Sequence, residues 1–414
     1  MFPFPPPPAG KKVFYGWRIV GAGCAIQLLQ AGLLHHAFGV YFAVLMEEFK
    51  WSKTALSGAA ALQPMEAAIL GPLLGWIIDR FGAQGMIRIG IILFGLGFCF
   101  LSTIDSLGGF YAAIILIAFG ASLCGYFPIN VTVIRWFEQR RARALSFITL
   151  GLALGGVFVP VVAWSMQTWG WRATALGSGL LVLSVGWPLA NVFRGRPELY
   201  GEVVDGITPE PPLPGAAAVV PPREFSTGEA LRTWAFWLIS LGHGFALLVV
   251  YALNVHAITH MKESLGYSVA EASIFITLTT LSQVGGVLLG SAIGDRVDKR
   301  YISAGCMIGH AIGVLLLTYA TGALMLTAFA VIHGVAWGLR GPMMQAIRAD
   351  YFGSRSIGMI LGISSMVIMF GQVGGPMIAA LMADLTGSYR AGFTVLAIMV
   401  GSGSLFFLFA KKPV

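Results

Sequence analysis

The chain is expected to be an all-α membrane protein: twelve transmembrane helices arranged as two pseudo-symmetric six-helix bundles. Three observations predict this. Hydrophobic residues fill 57% of 414 positions and charged residues 11%, whereas a soluble domain typically carries about 25% charged residues; lipid must be the solvent. Apolar runs of roughly 18 to 25 residues, long enough to cross a hydrocarbon core of about 30 Å as helices, recur along nearly the whole length. The segment Gly75-Trp76-Ile77-Ile78-Asp79-Arg80-Phe81-Gly82 returns in altered form at Gly290 to Arg300, with Asp79 and Asp295 216 positions apart. One half is therefore a degenerate copy of the other.

Taken in order, residues 1–15 form a proline-rich cytoplasmic tail with no cleavable signal, and Lys11 and Lys12 stand just before the first span. The spans are expected at 16–46, 54–78, 86–104, 108–134, 144–167 and 172–193, then at 233–260, 269–293, 301–320, 323–346, 356–383 and 390–410. The first, seventh and eleventh exceed the minimum length and are expected to tilt or to continue beyond lipid. Residues 194–232 hold seven prolines, Pro197 to Pro222, and are expected to form a flexible cytoplasmic connector between bundles 16–193 and 233–410. A short tail, 411–414, closes the chain. Further landmarks repeat at nearly the same spacing: Pro128 with Pro342, Trp136-Phe137 with Tyr351-Phe352, Pro160 with Pro376, and Arg172 with Arg390.

With both termini placed in the cytoplasm, twenty of the 26 Lys and Arg residues fall in cytoplasmic segments or at cytoplasmic span ends, Arg348 among them. Five fall on the other side, and Arg340 lies inside a span. The expected location is the cell inner (plasma) membrane. The formal charge of +8 follows from this topology and from contact with membrane lipid, so no nucleic acid is called for. Cys24, Cys99, Cys124 and Cys306 are widely spaced within spans, which indicates neither a disulfide framework nor a metal site. No GxxxxGK[ST] motif is present, so no nucleotide is expected, and no cofactor either.

On its loop motif at Gly75 to Gln84 with the copy at Gly290 to Arg300, on glycine-rich span 5 (Gly151, Gly155, Gly156, Pro160) and on its six-plus-six pattern, the chain resembles the major facilitator superfamily over its full length. Position 84 is Gln where that loop pattern commonly has a basic residue. Within the superfamily it is similar to the monocarboxylate and oxalate/formate transporter group, through Phe14-Tyr15-Gly16-Trp17, Phe49-Lys50-Trp51-Ser52 and Asn254-Val255-His256. That group commonly carries a substrate-binding arginine in span 8, where this chain has none. The resemblance implies a cavity lined by spans 1, 4, 7 and 10, with Asn254 and His256 facing substrate.

Charge within a span costs roughly 2.5 to 3.5 kcal/mol on insertion scales, so each instance calls for a partner, water or a function. Arg340, about eight residues before Arg348 in span 10, offers a planar donor fork suited to a carboxylate. Gly338, Gly341 and Pro342 beside it allow a helix break. The repeat register sets Tyr126 opposite Arg340, as a third hydrogen-bonding group; the plainer alternative is that Arg340 snorkels or pairs with Glu66. Glu66, in span 2 after Gln63-Pro64-Met65, is the candidate proton carrier, or else braces the two halves as a neutral or paired carboxyl. His256 and His260 share a face of span 7 one turn apart, which makes His260 a second proton-coupling candidate. Tyr41 in span 1 is a candidate aromatic wall of the cavity. Asp79, Arg80, Asp295, Arg296, Arg135 and Arg140 cluster at cytoplasmic ends and are expected to latch one conformation against another.

The function expected from these residues is secondary active transport of a small organic anion, a monocarboxylate first, coupled to protons by alternating access. Anion exchange and proton-coupled export of an amphipathic compound keep the mechanism and change the cargo. A non-transporting membrane receptor or sensor is the alternative of another class. An enzyme is not expected, since no nucleophile, base and orienting group can be assembled from spacing. The expected partners are the anion and protons, and the expected working unit is a monomer.

Overall fold

The structure, a computed structural model, describes residues 14–51, 66, 69–207 and 223–413. The expected N-terminal tail up to residue 13, most of the first half of span 2 (Gln63-Pro64-Met65 included), Ser52 and the six connector prolines from Pro209 to Pro222 lie outside the described residues.

Every long element is helical. Span 1 comprises α1 (Tyr15–Gln30), a π-helical turn at Ala31–His35 and α2 (Phe38–Phe49). It is followed by α3 (69–81), α4 (Ala83–Leu101), α5 (Leu107–Cys124) and α6 (Tyr126–Trp136). Next come α7 (Arg141–Leu154), α8 (Val159–Leu181) and α9 (Trp187–Val192). A short α10 (Thr227–Leu231) leads into α11 (Trp234–Leu265), α12 (Val269–Ile293), α13 (Lys299–Thr318), α14 (Ala323–Phe352), α15 (Ile357–Thr386) and α16 (Tyr389–Phe409). Ten stretches among the described residues are long and apolar enough to cross a membrane. One of them, Arg141–Val192, turns sharply at Gly170, whose φ of 82° favours glycine. That single position supplies the turn expected between residues 167 and 172. With α3 as the described part of span 2, twelve passes result.

Packing follows the duplication. Before the connector, α1 lies on α7, and α4 on α5 and α8; after it, α11 lies on α15 and α16, while α13 lies on α14 and α16. The repeat extends to single hydrogen bonds: Trp136 Nε1 donates to Gly195 O at 2.6 Å, and Tyr351, its counterpart, donates its hydroxyl to Ala410 O at 2.6 Å. Between the halves, α7 packs on α12 and α14. At α3 the backbone comes so close to α15 that a Cβ on Gly75 would fall against Gly358 and Met359, which is how small residues let membrane helices approach.

One expectation needs correction. Helix α14 runs unbroken through Gly338, Gly341 and Pro342, despite the amide that Pro342 lacks, and Gly338 packs close on Gln283 O. The break occurs in span 4 instead, at Gly125, which separates α5 from α6 directly before Tyr126. The side-chain amide of Gln30 on α1 donates to Ala121 O there at 3.0 Å, partnering a carbonyl beside the break.

Candidate functional site

Arg340 is 1% exposed in the middle of α14, and its Nε and Nη1 have no hydrogen-bond partner. No ion pair joins it to Glu66 or to any other carboxylate among the described residues. The hydroxyl of Tyr126 lies near Thr149 of α7, Asn130 of α6 and Gln345 of α14, and Arg340 acts on it electrostatically. Both amide atoms of Asn130, Oε1 of Gln345 and Oγ of Ser146 are likewise buried without partners. Buried polar atoms are normally satisfied, and leaving one unpaired costs about 1 to 3 kcal/mol. These atoms lie on α6, α7 and α14, helices of both halves. Sequence reasoning named Arg340 and Tyr126 but missed Asn130, Ser146, Thr149 and Gln345.

Arg348, counted above at a span end, is enclosed by protein there. It is 1% exposed, donating to Met344 O at 2.6 Å and to Ser364 Oγ at 2.8 Å, with His243 Nδ1 at 3.4 Å. Two guanidinium groups are thus enclosed in α14 without a carboxylate. A buried charge without a partner is strongly unfavourable, and the net positive field favours an anion.

The other candidates are dispersed. Glu66 accepts from Ser122 Oγ at 2.8 Å through Oε2, while Oε1 is buried without a partner. His256 bonds Pro376 O at 3.1 Å and lies against the Tyr389 ring, and Asn254 is exposed. His260 is fully buried: Nε2 meets Leu317 O at 3.2 Å and Nδ1 meets Ser264 Oγ at 3.1 Å. A carbonyl only accepts, so Nε2 carries a proton; both ring nitrogens are partnered in the core. Tyr41 is buried beside Phe98 on a small apolar cavity lined also by Leu33, Phe42 and Phe110, and its hydroxyl has no hydrogen-bond partner.

At the arginine-rich end, the aspartates of the repeated motif cap helices of the opposite half. Asp79 accepts from the amides of Gly358 at 3.1 Å and Met359 at 2.8 Å, the first turn of α15, and pairs with Arg135 at 2.7 Å. Asp295 accepts from the amides of Ala142 at 2.7 Å and Arg143 at 3.0 Å, the first turn of α7. Helix N-termini present unpaired amides and a positive dipole, so a carboxylate there acts as an N-cap, here supplied from the other half. Burial pushes the Asp295 carboxyl above the ordinary carboxylate range, against the opposing pull of the two amides and of Lys299. Arg141 pairs with Asp350 across the same seam. Arg80 stacks over Trp76 and Phe81; neither it nor Arg140 or Arg296 makes an ion pair among the described residues.

Twelve helical passes around a polar centre walled by both halves define a membrane transporter. The chain belongs to the Major Facilitator Superfamily, whose family profile matches residues 24–255 and 239–414. It is a secondary transporter of a small solute. It is 26% identical to monocarboxylate transporter 13 of Bos taurus, over 96% of this chain and 90% of that one. It is 24% identical to the oxalate:formate antiporter of Oxalobacter formigenes, over 94% and 89%. Among solved structures, the human organic anion transporter TETRAN shares the fold at TM-score 0.70 and 15% identity, covering 95% and 99% of the two chains. The Escherichia coli fucose:proton symporter does so at 0.71 and 13%, covering 95% and 98%.

Proposed function

We propose that the solute is a small organic anion, a monocarboxylate first, carried with protons by alternating access. The arginine-rich end would then face the cytoplasm, with both termini inside the plasma membrane. The observation that carries this reading is Arg340: a buried guanidinium with two nitrogens unpartnered, in the field of which stands Tyr126, with Asn130 and Gln345 beside that tyrosine. Its planar fork suits the two oxygens of a carboxylate, and the amides would take the remaining polar group of the solute. The relatives that transport monocarboxylates, oxalate and formate by name support the same class. Glu66 is the proposed proton carrier, since half its carboxyl is enclosed without a partner. The trans-caps at Asp79 and Asp295 would hold the arginine-rich end closed until solute binds.

The test is uptake by purified protein in liposomes of a panel of labelled monocarboxylates, lactate and acetate among them, with and without an inward proton gradient. Uncoupler-sensitive accumulation of one acid is expected. Accumulation that ignores the gradient but needs an internal counter-anion would establish exchange instead. No transport of any acid by folded protein would overturn the anion reading.

A further inference from the structure

His310 on α13 and His333 on α14 meet through their ring nitrogens, Nδ1 to Nδ1 at 3.1 Å, with ring centroids 4.6 Å apart. Both rings are buried, at 0% and 2% exposure, and His310 Nε2 has no partner. A gap of that length holds one proton, since two nitrogens that both carried hydrogen would repel. One ring therefore donates and the other accepts. Whichever donates has a bare Nε2, and the pair as a whole keeps one open lone pair. Adding one proton there gives a single cation bridged by the shared hydrogen. A second cannot be added without breaking the bridge.

His333 and Arg340 are seven residues apart on one helix, two turns or roughly 10 Å along the axis, and so share a face. Arg340 is the charged group acting on both rings, and Cys306, one turn before His310, lies in the same field. His243 of α11 lies beyond, against Arg348. No carboxylate among the described residues is one of the groups acting on either ring; α12 meets α14 through Thr279, Ser282 and Gln283 at Gly334 and Gly338, and α16 meets α13 at Gly401 and Gly403. Burial of both rings is the first opposition to a proton on the pair; the charge of an unoccupied Arg340 adds to it, and an anion bound to Arg340 removes that added part.

We infer that His310 and His333 form a one-proton site that fills when an anion occupies Arg340, in addition to Glu66 in the other half. This rests on the anion reading above. It makes proton and anion mutually dependent ligands of one helix, because linkage requires each to raise the affinity for the other.

The test is equilibrium binding of radiolabelled lactate and acetate to the purified full chain between pH 5.5 and 8, with His310→Gln and His333→Gln beside the wild type. The wild type should bind up to about tenfold more tightly per unit fall in pH for each linked proton. Both variants should match it within about twofold at pH 8 and lose one proton's worth of slope below. A wild-type slope in both variants overturns the inference, and so does an equal loss of affinity at every pH, which marks a merely structural pair. Failure of the wild type to bind either acid at any pH is a different result: it overturns the anion reading, on which the pair depends.

Discussion

Asp295→Ala isolates one trans-cap. The substitution removes two bonds, to the amides of Ala142 and Arg143, and both amides belong to the opposite bundle. A side-chain N-cap contributes about 1 kcal/mol, with a range of roughly 0.5 to 2. A negative charge at a helix N-terminus adds about 0.3 to 1. Part of this is offset, because the carboxyl is half-buried and Asp350 repels it. A net loss of about 1 to 2 kcal/mol moves the ratio of closed to open arginine-rich ends by roughly 5- to 30-fold. The assay is a distance distribution between spin labels on unnatural residues at Phe81 and Tyr301, which are 69% and 61% exposed on opposite halves; the four free cysteines stay in place. The control is Asp205→Ala. Asp205 also caps amides, those of Glu138, Gln139 and Arg140, but from the connector within the same half. It should lower Tm and leave the distances alone. An unchanged distribution in Asp295→Ala, or an equal shift in Asp205→Ala, refutes the latch argument.

The same labels report a pH effect. Burial raises the Asp295 carboxyl in the closed form, whereas in the open form it returns to its ordinary range. The closed form therefore binds the proton more tightly: its advantage is full below the ordinary carboxylate value and is lost as pH rises through the raised one. Acidification should populate the short distance, and lengthening on acidification would contradict this. Glu66→Gln should stop accumulation driven by a proton gradient while sparing exchange; normal accumulation in the variant removes Glu66 as carrier. Gly375→Ala should lower Tm, with an overpacking cost of about 1 to 3 kcal/mol, because the new methyl falls on Leu248 O of α11. A Tm equal to wild type would show that α11 and α15 can separate freely.

The duplication, the helical passes and the trans-capping aspartates were legible because each leaves a local or periodic trace. Asp79 and Asp295 stand at matched positions after apolar runs, and Arg340 is conspicuous as a charge within one. Asn130, Ser146, Thr149 and Gln345 were not legible: a single polar side chain in a span is unremarkable until helices from both halves bring several together. Arg348 looked like a span end because α14 extends six residues past the apolar run that predicts it, to Phe352. The helix break was placed beside Pro342, where proline and glycines advertise it. It falls at Gly125, whose break is tolerated because Gln30, ninety-five residues earlier, bonds a carbonyl beside it. His260 shares a helix face with His256, but tertiary packing gives it Leu317 and Ser264 as partners, which no spacing reveals.

The central claim is that Arg340 receives the anion, and the most direct measurement is calorimetric titration of lactate and acetate into wild type, Arg340→Lys and Arg340→Ala, with Tm recorded for each. Removing a hydrogen bond to a charged group costs about 1.5 to 3 kcal/mol, so Arg340→Ala should weaken binding at least tenfold, and Arg340→Lys, which keeps charge but not the fork, by less. Tm should hold or rise, because an unpaired buried charge has gone. Unchanged affinity in Arg340→Ala, from protein that still melts cooperatively, would contradict the account.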